Sequence, residues 1–253
     1  MTRASGSTVL RPLPRPDAER VLVCLGYSGG GTATFRPWAS VLPEDVELAI
    51  VCYPGREGRF TTPFARSWDE LMVDVLASVR PLTTRPYMLL GHSLGAWVAF
   101  EAASRLERAG TAPESLVVSA SESPIDCQAN PYPRTPCPEN TDEELLAWMR
   151  DAGQLPEVIH SDPDLREIAV ELLRADMRVS RSYRYRHGTT VSAPMQVLYG
   201  EDDSSVGAED AERWRLVSSG PFQITRMPGG HFYTDDIWAR LPEQIDIQGN
   251  LVK

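Results

Sequence analysis

The chain has 253 residues, of which 42% are hydrophobic and 24% charged, the composition of a folded globular protein and not of a disordered or fibrous one. Lys and Arg number 25 against 35 Asp and Glu, and the resulting charge of −10 disfavours a surface built for nucleic acid or anionic membrane. The apolar runs are far too short to span a bilayer, and Met1 to Pro16 is polar and proline-punctuated, without the apolar stretch of a secretion signal.

Short apolar runs alternate with longer amphipathic ones. Val21–Leu25 reads as a strand ending in Gly26-Tyr27-Ser28-Gly29-Gly30-Gly31, and Glu47–Tyr53 as a second, stopped by Pro54-Gly55. Ser67–Val79 carries Trp68, Leu71, Met72, Val75, Leu76 and Val79 at helical spacing. Tyr87–Leu90 predicts a third strand. A helix follows from Leu94 to about Arg108, and its Ala96, Ala99, Ala102 and Ala103 permit close packing on a sheet. Leu116–Ser119, Met195–Tyr199 and Phe222–Thr225 add three more strands. This alternation predicts an α/β fold, a mostly parallel central sheet flanked by helices, with residues 1–253 forming a single domain. Between Ser123 and His187 no strand is predicted, but two helical stretches are, about Asp142–Asp151 and Asp164–Tyr185. An interval that long implies a function of its own. It reads as a helical lid insertion over residues 124–187, entered through Pro124, Pro131, Pro133, Pro136 and Pro138.

Four cysteines, Cys24, Cys52, Cys127 and Cys137, show neither a C-x-x-C pair nor a disulfide spacing, and Cys24 and Cys52 sit inside apolar runs. The pattern is that of a reduced, cytoplasmic protein.

Gly91-His92-Ser93-Leu94-Gly95 matches G-x-S-x-G, a weak signal alone and a stronger one between an apolar strand and an alanine-rich helix. Such a strand–turn–helix resembles the nucleophile elbow of the α/β-hydrolases. Ser93 is the expected nucleophile, and the backbone N–H of Leu94, at a helix N-terminus, suits a developing oxyanion. A serine nucleophile needs a base and an orienting acid. Of the four histidines, His92 adjoins the serine and is expected to point away from it, and His160 and His187 lie in or beside the insertion. His231 follows the last strand in Met227-Pro228-Gly229-Gly230-His231, at the same edge as the elbow, and is the expected base. The acid should follow the preceding strand, where Gly200-Glu201-Asp202-Asp203 offers two aspartates. The G-x-x-D spacing usual in α/β-hydrolases selects Asp203, with Asp202 and Asp126 as alternatives. The order Ser93, Asp203, His231 is that of the α/β-hydrolases. The loop Gly26–Gly31 lacks both nucleotide-binding fingerprints. In the hydrolase frame it supplies a second oxyanion donor, the N–H of Ser28, with Tyr27 as runner-up. No metal site and no cofactor are expected.

Further stretches carry a closer likeness. They are Phe35-Arg36-Pro37-Trp38 after the glycine loop, Leu42-Pro43, Tyr53-Pro54-Gly55-Arg56-Glu57 with Arg59, Leu173-Arg174-Ala175-Asp176, Tyr183-Arg184-Tyr185 and Gly229-Gly230-His231-Phe232. With Gly91–Gly95 they make the chain resemble the type II thioesterases of polyketide and nonribosomal peptide synthases, from about Val21 to Leu241. Many members have Pro-His-Ala-Gly-Gly where this chain has Gly26-Tyr27-Ser28-Gly29-Gly30. The resemblance implies a monomeric α/β-hydrolase that removes acyl groups from the phosphopantetheine arm of acyl or peptidyl carrier proteins, an editing role. A carboxylesterase or lipase for small oxygen esters, or a product-releasing thioesterase, are the alternatives. Leu145, Leu146, Trp148, Met149, Leu172, Leu173 and Met177 of the insertion either line an acyl chamber or pack helix on helix. Arg178, Arg181 and Arg184 form a stripe that either meets the carrier or is solvated surface charge.

Overall fold

The computed structural model describes residues 7–126, 136–155 and 157–246. Seven strands form one sheet: β1 (Val9–Leu10), β2 (Arg20–Leu25), β3 (Val46–Val51), β4 (Tyr87–His92), β5 (Ser115–Ser119), β6 (Met195–Gly200) and β7 (Phe222–Met227). Their order is β1-β3-β2-β4-β5-β6-β7, with β1 antiparallel to β3 and every other pairing parallel. The six predicted strands are all present, with ends shifted by a residue or two. β1 was not foreseen: two residues on a sheet edge carry too little pattern to stand out from the proline-punctuated segment around them.

The central strands β2 to β6 are buried on both faces, and alternate residues serve different cores. Val21, Val23 and Leu25 of β2 face α1 (Trp68–Val79) and α2 (Leu94–Arg108). Leu22 and Cys24 face Phe35 and Trp38, from a 3-10 turn over Ala33–Ser40, together with Leu241 and Ile245. Ser67 caps α1 by accepting a hydrogen bond from the Glu70 N–H, so this helix starts at Trp68. Cys24 and Cys52 are buried free thiols.

Between β5 and β6 lie α3 (Asp142–Asp151), α4 (Glu157–Ser161) and α5 (Pro163–Arg181). Thr141 and Glu144 form a capping box on α3, and Asp162 caps α5 through the N–H groups of Asp164 and Leu165. Predicted to run to Tyr185, α5 ends at Arg181; Tyr183 and Tyr185, beyond its end, pack into the main core. Leu145, Met149, Ala169, Val170, Leu173 and Met177 form a separate small core between α3 and α5. Cys127, Pro131 and Pro133 lie outside the described residues. Past β6 and β7, the chain forms α6 (Ala208–Arg213) and α7 (Asp235–Ala239). These helices and α4 have five or six residues each, too few for a periodicity to register.

The chain order reverses around β2. From β2 it passes to β3 on one side, then crosses back to β4 on the other, and in open parallel sheets the crevice at such a point is where ligands sit. The glycine loop leaves the carboxyl end of β2 and the elbow leaves that of β4, with Leu25 paired to Gly91.

Candidate active site

The elbow turns where the chain has no room for side chains. A Cβ at Gly91 would lie 1.9 Å from the Gly95 carbonyl oxygen, and one at Gly95 would lie 2.1 Å from that of Leu25. Ser93 sits between them at φ 56° and ψ −122°, a backbone conformation that non-glycine residues rarely adopt. Its N–H donates to the Ser119 carbonyl at 2.8 Å, tying the elbow to β5. The strain lifts the half-buried serine above the sheet and places it directly before the first turn of α2. Among the described residues, the N–H groups of Leu94 and Ser28 have no hydrogen-bond partner.

The loops after β6 and β7 touch, because these strands are parallel neighbours. Asp202 N–H donates to the Gly229 carbonyl at 2.9 Å, and Glu201 N–H to that of Met227. This contact sets Asp203 beside His231. The Asp203 carboxylate accepts from His231 Nδ1 at 2.8 Å through Oδ2 and from the Ser205 N–H at 2.8 Å through Oδ1. The carboxylate is 1% exposed and the imidazole 11%. With Nδ1 committed to Asp203, Nε2 is the free nitrogen; it is buried and has no hydrogen-bond partner among the described residues. Ser28, Ser93, Leu94 and His231 line one apolar cavity of about 90 Å³, together with Trp148 of α3 and Met177 of α5. Trp148 and Met177 thus reach the cavity, while Leu145, Met149 and Leu173 pack helix on helix and Leu146 packs against them.

The rival acids lie elsewhere. Asp126 pairs with Arg213, whose Nε is 2.5 Å from its Oδ1, and the Asp202 side chain is exposed. The runner-up donor, Tyr27, is buried with its ring edge-on to Phe232. His160 lies on α4 and His187 is exposed beyond α5. Of the arginine stripe, Arg181 is bound to Glu139 at 2.9 Å, and Arg184, past the helix end, donates to nearby backbone carbonyls. Among the described residues, no three His, Cys, Asp or Glu side chains are grouped to hold a metal ion.

His92 does not face the serine. It is fully buried, its Nδ1 2.9 Å from Ser119 Oγ, which lies 2.5 Å from the Tyr233 hydroxyl. Its ring stands 5.2 Å from that of His231 and is enclosed by Phe232 and Trp238. Burial, and then the neighbouring His231, hold its pKa well below the usual histidine range. This polar chain behind His231 was missed in the sequence. Its signal there is slight: an aromatic residue two positions after His231, and a serine at the end of β5.

A thioesterase-domain family model matches residues 20–245. The chain belongs to the thioesterase family. Relatives include the thioesterase PikA5 of Streptomyces venezuelae, 33% identical over 243 residues, 95% of this chain and 85% of that protein. The AMB antimetabolite synthetase AmbE of Pseudomonas aeruginosa is 37% identical over 212 residues, and there the chain spans only 10% of the relative's length. Among solved structures, the type II thioesterase BorB from the borrelidin biosynthetic cluster is 33% identical with a TM-score of 0.80, covering 96% of this chain and 99% of that one. RedJ, a thioesterase from the prodiginine pathway of Streptomyces coelicolor, is 28% identical with a TM-score of 0.81, covering 92% of each. The thioesterase therefore has the α/β-hydrolase fold of these neighbours. Among its described residues, no helix is long and apolar enough to cross a membrane.

Proposed function

We propose that this thioesterase is a type II enzyme that clears acyl groups from the phosphopantetheine arm of acyl or peptidyl carrier proteins serving a polyketide or nonribosomal peptide synthase. The observation that carries the reading is the His231–Asp203 hydrogen bond at 2.8 Å, which leaves Nε2 free beside the cavity that Ser93 lines, in a chain matched nearly end to end by such enzymes. Ser93 attacks the thioester carbonyl while His231 Nε2 takes its proton. Asp203 holds the imidazole in the Nδ1–H tautomer and stabilises its cation. The tetrahedral oxyanion is met by the N–H groups of Leu94 and Ser28. The pantetheine thiol leaves with the proton from His231, and water, activated by the same imidazole, then releases the acid. A thiol of pKa about 8.5 departs far more readily than an alkoxide, which favours thioesters over oxygen esters at a site of this kind.

In this proposal the enzyme acts as a monomer, and the free thiols of Cys24 and Cys52 suit the reducing cytoplasm. In this reading the α3–α5 segment is the lid, with Trp148 and Met177 facing the acyl group. The similarity to a segment of AmbE favours a second reading, release of a finished product. Incubation with a panel of acylated carriers and with matched oxygen esters, followed by intact mass, separates these readings. Fast removal of short or aberrant acyl groups from the carrier supports editing. Preference for one full-length chain supports release, and oxygen esters turned over at least as fast as thioesters would sink both.

A further inference from the structure

The stretch Tyr53–Glu57 takes no part in the chemistry just described, yet it encloses the glycine loop. Tyr53 donates its hydroxyl to the Gly26 carbonyl at 3.2 Å. Arg56 Nη1 donates to the Gly30 carbonyl at 2.6 Å. Glu57 accepts from the Thr32 N–H at 2.9 Å and from its hydroxyl at 2.6 Å. To do so Glu57 takes φ 45°, a strained conformation for a residue with a side chain. The remaining tie comes from α5. Asp176 Oδ2 accepts from the Gly29 N–H at 2.8 Å, and the same carboxylate takes the Arg56 fork through both oxygens, at 2.9 and 2.6 Å. Arg56 and Asp176 are 3% and 5% exposed. At Gly29, φ is 76° and even a methyl group would come within 3.2 Å of Leu173 Cβ, so α5 lies directly on the loop.

A buried ion pair contributes little net stability compared with apolar groups of the same volume, because two charges must be desolvated. What this pair does supply is position. It grips the peptide groups immediately after Ser28 from two sides, one of them the helix that also carries Met177 to the cavity. We propose that Arg56 and Asp176 are positioning residues that couple the docking of α5 to the setting of the second oxyanion donor. Acyl-group binding under α5 and oxyanion stabilisation are thereby linked. The proposal rests on Ser93 as nucleophile and the Ser28 N–H as donor.

Two variants test it against a carrier-bound thioester and an acyl-pantetheine trifluoromethyl ketone, whose hemiketal oxyanion occupies the same donors. Asp176→Asn keeps the side-chain shape and removes the charge. The double variant Arg56→Met/Asp176→Leu replaces the pair with apolar groups, so it remains foldable if the single variant does not. Both are expected to lose roughly 10–100-fold in kcat with KM within about threefold, less than deletion of a donor causes, and to bind the ketone more weakly in proportion. The double variant is expected to melt near the wild-type temperature and still be slow. Wild-type kcat and ketone affinity in the folded double variant would overturn the coupling and leave the pair purely structural. Ser93→Ala, assayed in parallel, reports on the underlying reading alone: full turnover there sinks the mechanism itself, whereas a dead Ser93→Ala beside a fast double variant sinks only the coupling.

Discussion

The carboxyl edge of the sheet and the α3–α5 segment above it are held by different kinds of core. At the edge, Ser93, Asp203 and His231 follow β4, β6 and β7; β4 and β6 are buried in the two large cores on either face of the sheet, and β7 is partly exposed. Among the described residues, the α3–α5 segment has a core of its own of six residues, and it is joined to the body by Val179 in the larger core, by Asp176 to Arg56 and Gly29, and by the Trp68 N–H, which donates to the Ser182 hydroxyl. Reacting groups must be held within a fraction of an ångström, so they belong where packing is deepest. A surface that shapes a ligand can rest on a lighter scaffold and still serve. In consequence, changes at the edge should strike rate, and changes in the segment should strike selectivity.

The sharpest way to break that contrast is at the proposed nucleophile and base. Ser93→Ala and His231→Ala are each expected to lower kcat by about 10⁴-fold or more on every acyl group tested, with unchanged melting temperature. A loss that varied strongly with acyl length would contradict it. Asp203→Asn comes next. The amide would favour the wrong imidazole tautomer, and a fall of about 10³–10⁴-fold in kcat is expected, while Asp202→Asn, an exposed side chain, should stay within about twofold. Steady-state kinetics of the two variants side by side decides the acid; a heavier loss at Asp202 would reassign it.

On the segment's side, Trp148→Ala and Met177→Ala enlarge the cavity without touching the reacting groups. Each is expected to shift the ratio of kcat/KM between long and short acyl carriers toward the longer by about 10-fold, the scale on which apolar pockets discriminate a methylene or two. A uniform loss across chain lengths would show that these residues support the edge instead of shaping the ligand.

The same contrast explains what was legible in the sequence. Apolar runs between glycines and prolines mark buried strands, and a serine between two close-packed glycines marks the elbow, so the edge and the candidate order Ser93, Asp203, His231 could be read from chain order together with the G-x-x-D spacing usual in α/β-hydrolases. The roles of the segment's side chains could not. Leu173 and Met177 lie on one helix face at helical spacing, yet one packs against the glycine loop and the other lines the cavity, and no periodicity separates those outcomes. The Arg56–Asp176 tie was illegible for another reason. Its members are 120 positions apart, and a charged residue reads as surface until its buried partner is known. The stretches containing them stood out as family signatures, but a signature does not say what it holds.

His92 gives the finest test, because it belongs to the edge but takes no proton from the substrate. Its ring is sealed beneath His231 and its pKa is pushed well below 6.5 by burial. In the unfolded chain the imidazole titrates near 6.5. Above that pH it is neutral in both states and adds no pH dependence. Below it the unfolded chain binds a proton that the folded protein does not, so stability must fall as the pH drops, by up to about 1.4 kcal/mol per unit, until the folded-state value is reached. His92→Gln removes the titrating group and retains a polar atom able to meet Ser119. Denaturant unfolding at pH 7.5 and 5.5 should therefore show a smaller difference for the variant than for the wild type. Equal differences would mean that the buried imidazole takes up its proton in the folded protein as readily as in the unfolded chain, in which case a cation would stand behind His231 at low pH and the division between a rigid, neutral-backed edge and an adaptable cover would fail at its centre.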